Sequence, residues 1–335
     1  ADDLALLDGR RLFITGGTGF IGGWLLNLLH RACAQGLRVE AHLLTRDATR
    51  FAERIPHLAA APWLRCHEGD VTGFTLPVCK FDMIFHAATE ASAKLNAEDP
   101  GRMFDTALLG TRQVLHLAAE TGAERFLMLS SGAVYGRQPW EVEGLPESWT
   151  GGPDCTDPIN TYAEAKRGAE MLCAIAARQG LGVSIARIFA LLGPGLELNA
   201  HFAAGNFLSD AMSGRKVTVN GDGRAVRSYL YPTDLLVQLL ALWVRGPSGR
   251  AYNVGSPEAV SIRDLAETIA RLVGSGDYDV LGKSDSGWNP GRYVPDLTAL
   301  HRDLGIEGTI KLDQAVLNTA QSYGWKSRQD GARKR

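Results

Sequence analysis

A tyrosine, a lysine and a serine are the residues of this chain best suited to acid–base chemistry. Tyr162 and Lys166 stand four positions apart in a segment with helical periodicity, so they share one helix face. A free phenol has a pKa of about 10, which a neighbouring ammonium lowers by stabilising the phenolate. Ser131 ends a predicted strand and can hydrogen-bond a reacting oxygen. The three residues predict proton transfer at a carbinol or ketone carbon.

A glycine-rich stretch near the N-terminus is the second chemical signal. TGGTGFIGG, residues 15–23, follows a predicted strand and leads into a predicted helix. Glycines at this spacing let the backbone turn tightly, approach a pyrophosphate and pack helix on strand. The free N–H groups at the helix start then face the phosphates of a dinucleotide. The expected contacts come from Gly16, Gly19, Phe20, Ile21 and Gly22.

The end of the second predicted strand bears on which dinucleotide is bound. An NAD site usually has an acidic residue there, for the ribose 2′-hydroxyl, but this chain has Thr45. Arg46 and Arg50 follow, and a guanidinium suits a 2′-phosphate. The pattern favours NADP(H). In the alternative, Arg46 is a surface charge, Asp47 binds the ribose and the cofactor is NAD.

Further cofactor contacts are expected after the third and fourth strands. Asp70 and Val71 fit a wall of the adenine pocket. Ala87, Ala88 and Thr89 fit the floor near the nicotinamide ribose, which Lys166 can also hydrogen-bond. Tyr162 is expected to lie beside this ribose as well.

The elements that must position these residues alternate between strand and helix. Strands are predicted over 11–15, 39–44, 63–67, 83–86, 125–130 and 183–188, and helices over 22–34, 103–121 and 161–179. Buried strands separated by helices predict an α/β fold with a doubly wound, parallel Rossmann sheet. Its ligand crevice lies at the carboxyl ends of the strands.

The regular alternation of predicted strands and helices ends after residue 192. We expect a helix near 202–212, strands over 216–219 and 252–254, a helix over 261–272 capped by Ser261, a loop over 289–295 and a final helical stretch from 297. The predicted division is a dinucleotide-binding domain over 1–192 plus about 228–255, and a smaller α/β substrate-binding lobe over 193–227 and 256–335.

Composition excludes several classes of protein. With 335 residues, 45% of them hydrophobic, the chain can bury a large core. A net charge of −2 gives no sign of a nucleic-acid partner. Five scattered cysteines without CxxC spacing predict reduced thiols in a cytoplasmic enzyme and no metal site. No apolar run reaches the roughly 18 residues of a membrane span.

Taken in order, six motifs resemble those of the extended short-chain dehydrogenases/reductases. They are TGGTGFIGG, FHAAT (85–89), SSGAVYG (130–136), YAEAK (162–166), RSYLYPTDL (227–235) and YNVGS (252–256), and they cover nearly the whole chain. The branch is that of nucleotide-sugar epimerases, dehydratases, decarboxylases and 4-ketoreductases. The resemblance implies that Ser131, Tyr162 and Lys166 are catalytic.

The resemblance also implies a substrate and an assembly. The second lobe is expected to bind a nucleoside diphosphate sugar, with Arg227 and Arg292 at the diphosphate and Val217–Val219 beside the base. Lys94, past FHAAT, is either at the sugar or solvated, as is Glu90. The helices over 103–121 and 161–179 are expected to pair with their mates in a homodimer.

Several positions depart from the family pattern. The 4,6-dehydratases carry an Asp-Glu pair after the catalytic hydroxyl, where this chain has Gly132 and Ala133, so we expect no dehydration. Many relatives have Asn at the positions of Ala107 and Ala190. Asn206 is a substrate-binding candidate that could compensate, as could Asn199 or His201.

Four reactions fit such a site: 4-epimerisation, 4-ketoreduction, oxidation with decarboxylation, and dehydration. An epimerase keeps its cofactor, which suits NAD, whereas a net reductase draws on NADPH. The Thr45-Arg46 pair therefore favours an NADPH-dependent 4-ketoreductase of a nucleoside diphosphate 4-keto-6-deoxyhexose. The alternative is an NAD-dependent 4-epimerase. A non-catalytic dinucleotide sensor is disfavoured, because such proteins tend to lose the Tyr or the Lys.

Overall fold

The computed structural model describes residues 2–75, 79–89, 93–198, 202–283, 291–308 and 310–326. Within them the strands, in chain order, are β1 (Arg11–Thr15), β2 (Glu40–Thr45), β3 (Leu64–Glu68), β4 (Met83–His86), β5 (Arg125–Ser131), β6 (Gly182–Ile188), β7 (Val217–Val219), β8 (Val226–Arg227), β9 (Arg250–Val254), β10 (Val260–Ser261), β11 (Tyr278–Val280) and β12 (Arg292–Tyr293).

The α-helices of the same residues are α1 (Asp2–Ala5), α2 (Phe20–Ala34), α3 (Ala48–Arg54), α4 (Pro56–Ala59), α5 (Ala93–Glu98), α6 (Pro100–Thr121), α7 (Thr161–Arg178), α8 (Ala203–Met212), α9 (Pro232–Arg245), α10 (Ile262–Val273), α11 (Thr298–Leu304) and α12 (Leu312–Ser322). Short 3₁₀ turns lie at Gly132–Tyr135 and Pro158–Asn160.

A seven-stranded parallel sheet is the centre of the molecule. Its order is β3-β2-β1-β4-β5-β6-β9, so the chain winds outward in both directions from β1 and β4. Helices α2 and α9 pack on one face, and α6 and α7 cover the other. The predicted Rossmann fold is confirmed. The helical periodicity put the start of α2 at Gly22, whereas the helix begins at Phe20.

The later part of the chain forms two small sheets, β10-β8-β12 and β11-β7. They pack with α8, α10 and α12 around a separate apolar cluster. Ser261 caps α10 as predicted, since its hydroxyl accepts from the Asp264 N–H at 3.0 Å. Within the predicted loop over 289–295, Arg292–Tyr293 is instead a strand, because it pairs with distant β8.

One segment packs differently from the predicted division of the chain. Leu300, Leu304 and Ile306 belong to the core of the central sheet, although the sequence assigned them to the second lobe. Apart from this segment we propose the two-lobe division predicted above. No helix of the described ranges is both long and apolar enough to cross a membrane.

A buried histidine ties the end of β4 to its neighbours. Thr111 donates its proton to a carbonyl one turn earlier in α6 at 2.6 Å, so it accepts from His86 Nε2 at 3.0 Å. Thr15 then donates to His86 Nδ1 at 2.8 Å and accepts from the Ala87 and Ala88 N–H groups. Burial, reinforced by the Lys166 charge, lowers the pKa of His86 to about 3, so the ring stays neutral.

We predict that acidification weakens the fold through His86. In the unfolded chain the histidine has a pKa of about 6.5, so the unfolded chain binds a proton at a higher pH than the folded one. The stability contributed by the neutral His86 is therefore complete above about pH 6.5 and is lost as the pH falls toward the pKa of His86 in the folded chain. From about pH 7 to about pH 5.5 this group alone costs about 1 kcal/mol. Urea denaturation at both pH values measures the loss. His86→Gln should flatten the dependence, and an unaltered dependence in that variant would contradict the prediction.

Candidate active site

The sheet order brings the candidate residues together at one edge. Strands β2, β1, β4 and β5 are neighbours, and all run in the same direction. The segments that follow them therefore lie side by side at the carboxyl edge. Thr45 and Ser131 are the last residues of β2 and β5, and Gly16 and Ala87 follow β1 and β4 directly.

The glycine loop leaves no room for side chains at two positions. Gly16 has a φ of +70°, and a Cβ on it would lie 2.4 Å from the Ala87 carbonyl oxygen. A Cβ on Gly22 would lie 2.3 Å from the Gly16 carbonyl oxygen. Gly19 is the N-cap of α2, and Phe20 and Ile21 form its first turn. The backbone is thus a close-fitting cradle at a helix N-terminus, as a pyrophosphate requires.

Ser131, Tyr162 and Lys166 come together at the same edge of the sheet. Ser131 ends β5, and Tyr162 and Lys166 lie in the first turns of α7, which packs along β5. Lys166 Nζ stands 5.9 Å from the centroid of the Tyr162 ring and donates to the Leu129 carbonyl at 2.7 Å. Asn96 Oδ1, on α5, accepts from the Tyr162 N–H at 2.9 Å and so anchors the start of α7.

Burial opposes the charged forms of this group. It raises the pKa of the Tyr162 phenol, and hydrogen bonding with the Ser131 hydroxyl lowers it by less. Burial also lowers the pKa of Lys166 to about 8, although the Glu170 charge raises it. The pKa of Tyr162 is therefore raised overall, although its spacing from Lys166 favoured a lowered value, because desolvation dominates.

Glu170, one turn beyond Lys166, is a site residue that the sequence pattern did not reveal. Its carboxylate accepts from Ser130 Oγ at 2.6 Å and from Arg187 Nε and Nη2 at 3.0 and 2.7 Å. These contacts hold a buried negative charge behind the lysine. Its only sequence signal is the i, i+4 spacing from Lys166.

The residues that bear on cofactor choice lie at the end of β2 and just after it. Thr45 is buried and accepts from the Asp47 N–H, while the Asp47 carboxylate caps α3 by accepting from Arg50 N at 2.7 Å. Arg46 is exposed. Asp70 is near enough to Arg46 for that charge to lower its pKa, although the hydrogen bonds from Thr72 lower it more.

The positions expected to line the dinucleotide have different surroundings. Val71 is buried against Gly110 of α6. Ala87, Ala88 and Thr89 form a turn in which Thr89 N donates to the Ala87 carbonyl at 2.8 Å. The Ala87 and Ala88 N–H groups both reach Thr15, so this turn is fixed against the glycine loop.

A cavity of about 570 Å³ lies in the second lobe. Asn206 of α8, Thr218 and Val219 line it, together with the backbone around Gly221. Val217 does not line it and is buried in the apolar cluster.

The two candidate arginines lie on adjacent strands with different neighbours. Arg227 is the register partner of Tyr293, and its Nη1 donates to the Val226 carbonyl at 2.8 Å. Arg292 lies over the Trp140 ring, 5.4 Å from its centroid. The Arg292 Nε is buried and has no hydrogen-bond partner within the described ranges. That donor is available to a bound anion.

Lys94 lies on α5, two residues before Asn96, but its side chain is 73% exposed and pairs with Glu98. Glu90, Asn199 and His201 lie outside the described residues. No cluster of His, Cys, Asp and Glu in the described ranges is arranged to hold a metal ion.

The chain is similar to known nucleotide-sugar enzymes. The model of the NAD dependent epimerase/dehydratase family matches residues 12–255. UDP-glucuronic acid decarboxylase 1 of Xenopus tropicalis is 32% identical over 321 residues, which cover 94% of this chain and 72% of that protein. UDP-glucuronic acid decarboxylase 5 of Arabidopsis thaliana is 30% identical over 307 residues, which cover 91% and 87%.

Solved structures share the fold at lower identity. UDP-N-acetylglucosamine 4-epimerase from Methanobrevibacter ruminantium M1 superposes with a TM-score of 0.79 at 19% identity, over 94% of this chain and 98% of that one. UDP-glucose 4-epimerase from Thermotoga maritima, solved with UDP-glucose, gives a TM-score of 0.77 at 21% identity over 94% and 98%.

We predict that Gly22→Ala weakens dinucleotide binding by at least about tenfold, because its Cβ would press on the Gly16 carbonyl and deform the cradle. Gly23→Ala is the matched control. A Cβ on Gly23 meets no atom within 4 Å, so the affinity should stay within about twofold. Calorimetric titration with NADPH and NADH measures both variants. Equal dinucleotide affinities of the two variants would contradict the role of the glycine loop in binding the dinucleotide.

Proposed function

Because the chain belongs to the NAD-dependent epimerase/dehydratase family, we propose that it is an NADPH-dependent 4-ketoreductase of a nucleoside diphosphate 4-keto-6-deoxyhexose. One observation carries this choice: Ser131, Tyr162 and Lys166 lie together at the sheet edge that also carries the glycine loop, while Gly132 and Ala133 provide no carboxylate beside them. Hydride transfer needs only the hydroxyl, the phenol and the ammonium. Elimination of water needs an additional acid–base pair.

The residues divide the proton chemistry between them. The bound dinucleotide supplies the hydride. Tyr162 donates its phenolic proton to the oxygen at C4 of the sugar, so that no free alkoxide forms. Ser131 hydrogen-bonds the same oxygen, and the Lys166 ammonium stabilises the phenolate that remains. The phenolate is then reprotonated from solvent.

The surroundings of β2 support NADPH as the reductant. The Asp47 carboxylate already accepts the Arg50 N–H, which leaves it less available to a ribose hydroxyl. Arg46 is exposed beside it, where a guanidinium can bind a 2′-phosphate with two hydrogen bonds.

The second lobe supports a nucleotide substrate. Its cavity of about 570 Å³ has polar and apolar lining, including Asn206 and Val219. The orphan Arg292 Nε and the neighbouring Arg227 are donors for a diphosphate. We assign the base to the cavity and the diphosphate to the arginines.

The second candidate is a redox-neutral reaction, above all NAD-dependent 4-epimerisation. The similar proteins named above favour it, since they are called decarboxylases and 4-epimerases. In that case the same residues move the proton in both directions and the cofactor is not exchanged.

A homodimer is part of the proposal. Two long helices, α6 and α7, pack side by side, and each exposes large apolar side chains. These are Phe104 and Leu109 on α6 and Met171 and Ile175 on α7. A second copy would cover them by placing its own pair of helices against this one.

We predict that the purified protein consumes NADPH with a nucleoside diphosphate 4-keto-6-deoxyhexose. Tyr162→Phe should lower kcat by at least about a hundredfold, since the proton donor is removed, and should leave NADPH affinity within about threefold. Absorbance at the reduced nicotinamide band follows the consumption of NADPH, and product analysis in stopped assays follows the reduction of the sugar. Interconversion of UDP-sugar epimers without any net absorbance change would overturn the reductase in favour of the epimerase.

We also predict that Arg46→Ala weakens NADPH binding by about tenfold, because one charged hydrogen-bonding partner of the 2′-phosphate is lost. The same variant should change NADH binding by less than about twofold. Arg54→Ala, at the far end of α3, is the control and should change neither. Fluorescence titration with both dinucleotides gives the ratio. An R46A variant that loses affinity for the two dinucleotides equally would refute the NADP(H) assignment.

A further inference from the structure

Asn96 of α5 makes two hydrogen bonds to the segment that carries the catalytic tyrosine. Its Oδ1 accepts from the Tyr162 N–H at 2.9 Å, and its Nδ2 donates to the Ile159 carbonyl at 2.9 Å. Ile159 lies in the 3₁₀ turn at Pro158–Asn160, and Tyr162 is the second residue of α7. A single side-chain amide therefore bridges the junction between the turn and the helix.

The Tyr162 N–H belongs to the amide groups that a helix start leaves without an intrahelical partner. The side chain of the N-cap residue usually accepts from such a group. Here the N-cap is Asn160, whose side chain makes no capping bond and instead donates to the Asp154 carbonyl at 3.0 Å. Asn96 takes over this role from 66 positions away in the sequence.

The two bonds join segments that follow neighbouring strands of the central sheet. Helix α5 comes after β4 and the turn at 87–89, whereas α7 comes after β5. The turn after β4 is where the nicotinamide ribose is expected, and α7 carries the phenol. Asn96 therefore ties the start of α7 to the part of the chain that continues from the expected cofactor floor.

The next turn of α7 is held from the side of β5. Lys166 donates to a β5 carbonyl at 2.7 Å, and Arg167 Nη1 donates to the Val134 carbonyl at 2.9 Å. These bonds fix the helix one turn after Tyr162. The bonds of Asn96 fix it at Tyr162 itself, so the helix is anchored at two successive turns by different elements.

Local hydrogen bonds hold the shape of the junction. Asp157 Oδ1 accepts from the Ile159 N–H at 3.0 Å, and Thr161 Oγ1 donates to the Pro158 carbonyl at 2.7 Å. Because these partners are at most three residues apart, the bonds move with the turn and do not set its place in the molecule. That place depends on contacts with distant elements, of which Asn96 is one.

We propose that Asn96 is a positioning residue for the proton donor, because its amide sets the place of the Tyr162 backbone relative to Ser131 and the bound dinucleotide. The role rests on the proposed function only in that Tyr162 transfers a proton, in reduction or in epimerisation. The phenolic oxygen lies at the far end of a rigid ring, so a small rotation of the backbone moves it by a larger distance. A misplacement of about 1 Å can cost about a hundredfold in rate.

Amide hydrogen exchange of protein labelled with ¹⁵N-tyrosine tests the contact directly, with Tyr162→Phe to assign the signal. Asn96→Ala removes both bonds and should speed the exchange of the Tyr162 N–H at least about fivefold. Asn96→Asp keeps an oxygen at the place of Oδ1 and should stay within about twofold of the wild type. Glu98→Gln, an exposed position on the same helix, is the matched control and should change nothing.

Kinetics separate positioning from a merely structural role. Asn96→Ala should lower kcat about ten- to thirtyfold and leave the KM for the dinucleotide within about twofold, since the glycine loop is untouched. Asn96→Asp should restore kcat to within about threefold of the wild type. If Asn96→Ala fails to fold, Asn96→Ser takes its place, because the shorter side chain cannot span both partners.

Proton release on binding the oxidised dinucleotide reports the place of the phenol without any sugar substrate. Calorimetry at about pH 8 in buffers of different ionisation enthalpy measures it. Asn96→Ala should reduce the release by at least about a third at nearly unchanged affinity, because a displaced phenol lies farther from the cationic ring. Glu98→Gln should release as many protons as the wild type.

Three results would each overturn the proposal: unchanged exchange in Asn96→Ala, faster exchange with unchanged kcat, or a kcat in Asn96→Asp as low as in Asn96→Ala. A wild-type protein that turns over neither a 4-keto sugar nor UDP-sugar epimers would refute the proposed function instead. Proton release then decides the role of Asn96, which stands if the release falls in Asn96→Ala and is refuted if the two proteins release equally.

Discussion

Desolvation of a phenol and an ammonium in the same crevice is the constraint on which this site depends. Burial raises the pKa of Tyr162 and lowers that of Lys166 to about 8, so each charged form is disfavoured. A proton can move at neutral pH only if nearby groups restore the balance. Glu170 raises the Lys166 pKa from behind, and Ser131 lowers that of Tyr162 from the front.

The fold supplies these groups from elements that are distant in sequence. The carboxyl edge of the sheet aligns the glycine loop, the turn after His86 and Ser131 through strand order alone. Helix α7 then brings Tyr162, Lys166 and Glu170 to this edge on a single face. The packing that buries Tyr162 and Lys166 therefore disfavours their charged forms, and it also places Ser131 and Glu170 where they oppose that effect.

Local patterns were sufficient to predict the central fold and to select the residues of the candidate site. The glycine loop, the strand ending at Ser131 and the Tyr162/Lys166 spacing each lie within a few residues, and periodicity located most strands to within two residues. What the patterns could not predict depends on long-range pairing. Strand β12 has only two residues and exists because β8 lies beside it, so neither the strand nor the position of Tyr293 has a local signal.

Other differences between the predicted and the observed site also arise from contacts between distant elements. Val217 is buried in the apolar cluster and does not line the cavity, whereas Thr218 and Val219 do. Asn96 has no motif of its own, and its role appears only when α5 meets the start of α7. The pKa of Tyr162 is raised overall, whereas spacing alone favoured a lowered one, because the extent of burial cannot be judged from spacing.

The central claim is that a phenol which burial holds protonated becomes reactive when a dinucleotide completes its surroundings. Calorimetric binding of the oxidised dinucleotide at about pH 8, in buffers of different ionisation enthalpy, measures the protons released. We expect release on binding to the wild-type protein, because a cationic ring beside the phenol lowers its pKa, and a clear reduction of that release in the Tyr162→Phe variant. Equal proton release by the two proteins, or none by either, would contradict the account.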